Sequence, residues 1–149
     1  MRSELHPDAS VHRRGVVADL IEAERERPGA LLLRWAGGEW TVGEFAAAAR
    51  ACAAALKAAG VGREDRVAIV SGNSEWRLAW QFGAHWLGAV EVSINSELRG
   101  TMLEHCLADS DPSLIVIEAE FEPHLDGMAA EAPRLPAERA PGPVSRDEA

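Results

Sequence analysis

Residues whose types could do chemistry gather in two loops, each at the end of a short β-rich run. Ser71-Gly72-Asn73-Ser74 follows the run Val67 to Val70, and Ser93-Ile94-Asn95-Ser96 closes the run Val90 to Ile94. In an open parallel sheet, ligands sit beyond the carboxyl ends of the strands, so these loops are the candidate sites. The first is small and polar and leads into a helix start, where free amides suit an anion. Phosphate loops usually carry more glycine, so the favoured reading is that Ser74 caps the helix and Gly72 permits the turn.

Other chemistry is mostly excluded. Gly83 to Gly88 has P-loop spacing, but Ala89 and Val90 stand where Lys and Ser or Thr are required. Gly60 and Gly62 precede a strand rather than follow one, the wrong order for a dinucleotide fingerprint. His85, His105 and His124 lack partners at chelating spacing, and the neighbours Glu104 and His105 point apart on a helix, so no metal site is expected. Cys52 and Cys106 read as small packed residues without a basic neighbour to activate them. Lys57, the only lysine, reads as a solvated charge. Trp35 and Trp40 read as cross-strand packing rather than a base-stacking platform. No catalytic residue is assigned.

A chain of 149 residues, 47% hydrophobic, has the size and composition of one unit with a core. A net charge of −9 and pI near 5.0 argue against nucleic-acid partners and a polybasic membrane anchor. No stretch approaches the ~18 apolar residues of a membrane span. No disulfide framework or leader-like apolar segment is written, so a reducing, cytoplasmic setting is expected.

The elements that must position those loops are legible in outline. Residues 1–15 read as a flexible arm. Val16 to Arg27 reads as a helix with Val17, Leu20 and Ile21 on one face, ended by Pro28-Gly29. Ala30 to Arg34 is a short strand, and Gly37-Gly38 a hairpin turn into Glu39-Trp40. Thr41 and Glu44 form a capping box that opens an alanine-rich helix with Val42, Phe45, Ala49, Cys52 and Leu56 inward; Gly60 stops it. Three strands follow, Val67 to Val70, Val90 to Ile94 and Leu114 to Ile117. They are separated by helices Glu75 to Leu87, capped by Ser74, and Thr101 to Ala108, with a second capping box, Thr101 to Glu104. This alternation predicts an α/β fold, a partial parallel sheet of βα units flanked by helices, with a small N-terminal hairpin. The helix from Glu75 has an unusually wide apolar face, Trp76, Trp80, Gly83, Leu87 beside Ala79, Phe82, Trp86, which requires cover on more than one side. Residues 122–149 read as a Pro-rich, mostly disordered tail, with a short helix around Leu125 to Glu131 and disorder from Pro133 on.

The ordered series of short segments resembles a known family. Thr41-Val42-Gly43-Glu44-Phe45, then Leu56-Lys57-Ala58-Ala59-Gly60-Val61-Gly62-Arg63-Glu64-Asp65-Arg66-Val67-Ala68-Ile69, is similar to the opening of the acyl-adenylate-forming (AMP-binding) ligases. Phe82-Gly83 through Gly88-Ala89-Val90-Glu91-Val92-Ser93-Ile94-Asn95 continues it, with Ser93 where the family usually has proline. Leu98-Arg99-Gly100-Thr101-Met102-Leu103-Glu104-His105-Cys106-Leu107-Ala108-Asp109-Ser110 resembles the narrower group of carnitine and fatty acyl-CoA ligases. Asn73-Ser74-Glu75 is one residue short of the family's Asn-x-x-Glu.

The resemblance implies that residues 16–121 are the N-terminal α/β portion of an AMP-binding ligase domain. It implies ATP, Mg²⁺ and coenzyme A as cofactors of the complete enzyme, and it matches Asn95 and Arg99 to the lining of the coenzyme A channel. From the residues themselves, Asn95 instead shapes a turn and Arg99 pairs with Glu97 or Glu104. The family's Pro-Lys-Gly phosphate loop, Tyr-Gly-x-Thr-Glu segment and catalytic lysine do not occur in this sequence. The expectation is therefore a truncated or split ligase piece, inactive and without cofactor by itself, whose remainder a second polypeptide supplies. Alternatives are a non-catalytic interaction module docking through the tryptophan face, or a small ligand binder using the Ser71 to Ser74 loop.

Overall fold

Residues 15–128 and 132–138 are described by the computed structural model. They form helices α1 (Val16–Glu26), α2 (Val42–Ala58), α3 (Glu75–Trp86) and α4 (Gly100–Ser110), and a 3-10 helix, Ala119–Leu125. Strands β1 (Leu31–Trp35) and β2 (Gly38–Thr41) make an antiparallel hairpin. Strands β3 (Arg66–Val70), β4 (Val90–Ile94), β5 (Leu114–Ile117) and β6 (Arg134–Pro136) make a parallel sheet in the order β4-β3-β5-β6. The α/β architecture expected from the alternation is the one observed.

Two apolar layers sandwich the sheet. Val67 and Ile69 of β3 face α1, α2 and α3, whereas Ala68 and Val70 face α4 and the 3-10 helix. Strands covered on both faces need apolar residues at every position, which is why Leu114 to Ile117 is an unbroken run. From β3 the chain crosses to β4 on one side, then returns past β3 to β5 on the other. The boundary between β3 and β5 is thus the topological switch point, where such sheets open a crevice at the strand ends.

The wide face of α3 is covered from within the chain. Gly83 lets α2 approach so closely that a Cβ there would lie 2.7 Å from the Cβ of Cys52. Trp76 meets Trp40 edge-on at 5.3 Å, and Phe82 meets Phe45 at 5.0 Å. The guanidinium of Arg50 sits 5.7 Å from the centre of the Trp86 ring while also gripping Glu24 of α1. Trp80 is fully buried, and its indole N–H donates to the Ala137 carbonyl at 3.0 Å. The tryptophan face therefore offers no broad docking surface.

Several local expectations need correction. The hairpin turn is Ala36-Gly37, with Trp35 paired to Gly38, one residue earlier than expected. The Trp35 indole folds over the turn, 2.9 Å from where a Gly37 Cβ would lie, so the glycines there provide room. The Thr101 to Glu104 capping box does not form: α4 already begins at Gly100, and its N-cap, Arg99, makes no side-chain cap bond. Ile21 is 47% exposed while Leu20 alone of its face is buried. The short helix expected around Leu125 lies earlier, ending at Leu125, and residues 129–131 fall outside the described residues. Arg134–Pro136, placed in the disordered tail, is instead β6: Ala137 is buried behind it and serves as acceptor for Trp80. Residues 1–14 and 139–149, most of the arm and the rest of the tail, lie outside the described residues.

Candidate functional site

At the switch point, β3 delivers Ser71 and β5 delivers Glu118 to the same place. The Glu118 amide donates to the Val70 carbonyl at 3.1 Å, which continues the ladder and turns its carboxylate toward the loop after β3. That carboxylate accepts from Ser71 Oγ at 2.5 Å, from the Gly72 amide at 3.2 Å and from Ser74 Oγ at 3.3 Å. Ser71 is buried, the one polar residue so placed among the described residues. Ser74 caps α3 as expected, accepting from the Arg77 amide at 3.1 Å.

Arg77 extends the network sideways. Its guanidinium donates to the Ser71 carbonyl at 2.9 Å and to Ser93 Oγ at 2.6 Å, and Ser93 Oγ donates to Glu91 at 2.6 Å. A continuous polar seam thus ties the ends of β5, β3 and β4. The amide and hydroxyls that would suit an external anion at the start of α3 are taken by a carboxylate of this chain. Phosphate groups of a nucleotide bound at this loop would have to displace the Glu118 carboxylate.

Asn95 and Arg99 lie on the exposed loop after β4. Asn95 Oδ1 accepts from the Glu97 amide at 2.9 Å, and its carbonyl accepts from the Leu98 amide at 3.1 Å, a side-chain-stabilised turn. The Arg99 guanidinium donates to the Ser96 carbonyl and, at 2.8 Å, to the Leu98 carbonyl. It therefore closes its own loop instead of pairing with Glu97 or Glu104. Cys52 is sealed in the core, where burial pushes its thiol up to about 12 and keeps it inert. Among the described residues no three His, Cys, Asp or Glu side chains are grouped to hold a metal ion. Sequence reading missed Glu118 altogether. Arg77 had a signal, since it lies three residues after the cap, on the side of the helix start.

The sequence model of the AMP-binding enzyme family matches residues 20–147. The chain belongs to the AMP-binding enzyme family. As a member of that family it is 35% identical over 92 residues to a long-chain-fatty-acid–CoA ligase, FadD13, of Mycobacterium tuberculosis, which is 62% of this chain and 18% of that one. It is 32% identical over 101 residues to an indoleacetate–CoA ligase of Aromatoleum aromaticum, covering 68% of this chain and 20% of that one. Among solved structures, VinN superposes with a TM-score of 0.76 at 28% identity, over 82% of this chain and 33% of VinN. The N-terminal domain of FACL13 from Mycobacterium tuberculosis shares the fold, with a TM-score of 0.78 at 22% identity, over 90% of this chain and 38% of that one. This AMP-binding family chain spans about a fifth of the length of the curated relatives it matches.

Proposed function

We propose that this chain is the N-terminal part of an ATP-dependent acyl-CoA ligase, an acid–thiol ligase that forms an acyl-adenylate and then an acyl-CoA. The observation that carries this reading is the family match across residues 20–147 of a chain that aligns with 14% to 22% of its acyl ligase relatives. Adenylation requires that ATP phosphates be held, Mg²⁺ placed and a carboxylate aligned on the α-phosphate. In this chain the loop best suited to phosphate is committed to Glu118. The chain by itself is therefore inactive, and ATP, Mg²⁺ and coenzyme A bind the complete ligase, whose remaining parts come from a longer chain or a second polypeptide. The relatives named for long-chain fatty acids and indoleacetate support a carboxylic acid as substrate, and the former a place in fatty acid metabolism. The free thiols of Cys52 and Cys106 support a reducing, cytoplasmic setting.

Asn95 and Arg99 line the mouth of the coenzyme A channel in the complete enzyme. Both are exposed at the carboxyl end of β4, and the Arg99 guanidinium, held only by carbonyls, gains charge-assisted bonds by exchanging them for a phosphate. Acyl-dependent exchange of pyrophosphate into ATP tests the reading: the purified chain gives none, and adding the remainder of the ligase restores it. Robust exchange by the chain alone refutes the assignment. In the restored enzyme, Arg99→Ala raises the KM for coenzyme A several-fold and leaves the exchange reaction untouched.

A further inference from the structure

The ladder between β3 and β4 ends at the pair Val70 and Ile94. The loop that follows, residues 95–99, holds itself together from within. Asn95 accepts from the Glu97 and Leu98 amides, and Arg99 donates to the Ser96 and Leu98 carbonyls. None of these bonds reaches another element. Leu98 packs against the α4 layer, but apolar contact of that kind has no direction.

The direction comes from the last residues of β4. Val92 and Ile94 turn into the α4 layer, so Glu91 and Ser93 face α3. There Ser93 Oγ sits between opposite charges. It accepts from the Arg77 guanidinium and donates to the Glu91 carboxylate, both at 2.6 Å. The hydroxyl thus has its proton and a lone pair engaged, each in a charge-assisted bond. Arg77 is itself fixed at two further points. Its amide donates to Ser74 Oγ at 3.1 Å, and its other terminal nitrogen donates to the Ser71 carbonyl at 2.9 Å. One planar fork therefore spans the ends of β3 and β4. Ser71 is buried, which anchors one tine; Ser93 is exposed, so packing does not hold it in place of the other.

We propose that Arg77 is a positioning residue: through Ser93 it sets the direction in which β4 delivers Asn95 and Arg99. Its part in the reaction rests on the assignment of those two residues to the coenzyme A mouth. Arg77 acts on that mouth at second hand, while Glu91 supplies the counter-charge behind Ser93. Ile94 pins the strand end on one face and this clasp pins it on the other. A lysine does not replace the arginine, because a single ammonium lacks the planar pair of nitrogens that reaches Ser71 and Ser93 together.

Two measurements test the clasp. In the 149-residue chain, Arg77→Ala lowers the backbone order parameters of residues 95–99 from about 0.85 toward 0.6, while β3 and β5 stay rigid. Ser93→Ala does the same, and the double variant goes no further than either single one, since both remove one interaction. Should Arg77→Ala fail to fold, Ser93→Ala, at an exposed position, decides this arm alone. In the restored ligase, Arg77→Ala and Arg77→Lys raise the KM for coenzyme A about three-fold or more with little change in kcat. Order parameters of residues 95–99 that keep their wild-type values overturn the proposal. A KM that rises in Arg99→Ala but not in Arg77→Ala overturns it too. A KM unmoved by Arg99→Ala refutes the coenzyme A mouth and Arg77's part in it, and the order parameters still decide whether Arg77 aims the loop.

Discussion

Replacing Gly83 by alanine sets two effects against each other, and the structure decides which wins. In a helix interior alanine is favoured over glycine by about 1 kcal/mol. Against this, the new Cβ would lie 2.7 Å from Cys52 Cβ, 2.9 Å from the Ala53 amide nitrogen and 3.1 Å from the Cys52 carbonyl carbon. Non-bonded carbons settle at about 3.5–4.0 Å, so α2 and α3 must part by roughly 1 Å along their contact. Overpacking of this kind costs about 1–3 kcal/mol, and the upper half applies because two of the three contacts are backbone atoms that no rotamer can move. The expected net effect is a loss of about 1–2 kcal/mol, read in urea unfolding as a lower midpoint at unchanged slope. Ala47→Gly, at an exposed position of the same α2, measures the propensity term separately and should lose about 1 kcal/mol. A Gly83→Ala chain as stable as the wild type, or more so, would refute the claim that Gly83 sets the spacing of the two helices.

Trp80→Phe strands the Ala137 carbonyl and opens space in the core, so a loss of about 2–4 kcal/mol is expected, with earlier proteolysis at β6. Glu64 holds φ at +68°, so Glu64→Gly relieves left-handed strain and raises the stability read from urea unfolding by about 0.5–1 kcal/mol after glycine's own entropy cost; its exposed pair with Arg63 contributes little. The hydrogen bonds from Arg50 hold the Glu24 carboxyl below its ordinary value of 4.5. Its contribution is therefore present above pH 4.5 and is lost as pH falls through the lower folded value. Comparing Glu24→Gln with the wild type should show a deficit of about 1 kcal/mol or less near neutrality, which disappears in acid.

Most features built from neighbouring residues were legible in the sequence, the absent Thr101 to Glu104 box and the shifted hairpin turn excepted; those built across the sheet were not. The capping box at Thr41 is local chemistry, and it is present, with the Thr41 amide donating to Glu44 at 2.7 Å and Thr41 Oγ1 accepting from the Glu44 amide at 3.3 Å. Strands β3 and β5 announce themselves as apolar runs because both faces are covered, whereas β4 alternates Val, Glu, Val, Ser, Ile and is only partly buried. β6 carries no such mark. Three residues amid prolines read as disorder, and what orders them is a hydrogen bond from Trp80, 57 residues away, together with the free edge of β5. The site divides along the same line. Ser74 was readable as a cap, whereas Glu118 joins it only because the chain crosses back over β3, and no spacing rule reaches across the 44 residues between them.

The placement of the five tryptophans also determines what spectroscopy can see in this protein. Trp35 and Trp40 sit on the hairpin and Trp76, Trp80 and Trp86 on α3, all on one side of the sheet, while the packed cluster around α4 contains no indole. Intrinsic emission therefore watches one layer, whereas circular dichroism at the peptide band watches both. A loosening confined to α4 and the 3-10 helix would be dark in the first signal and visible in the second, so any mismatch between the two melting curves identifies which half lets go first.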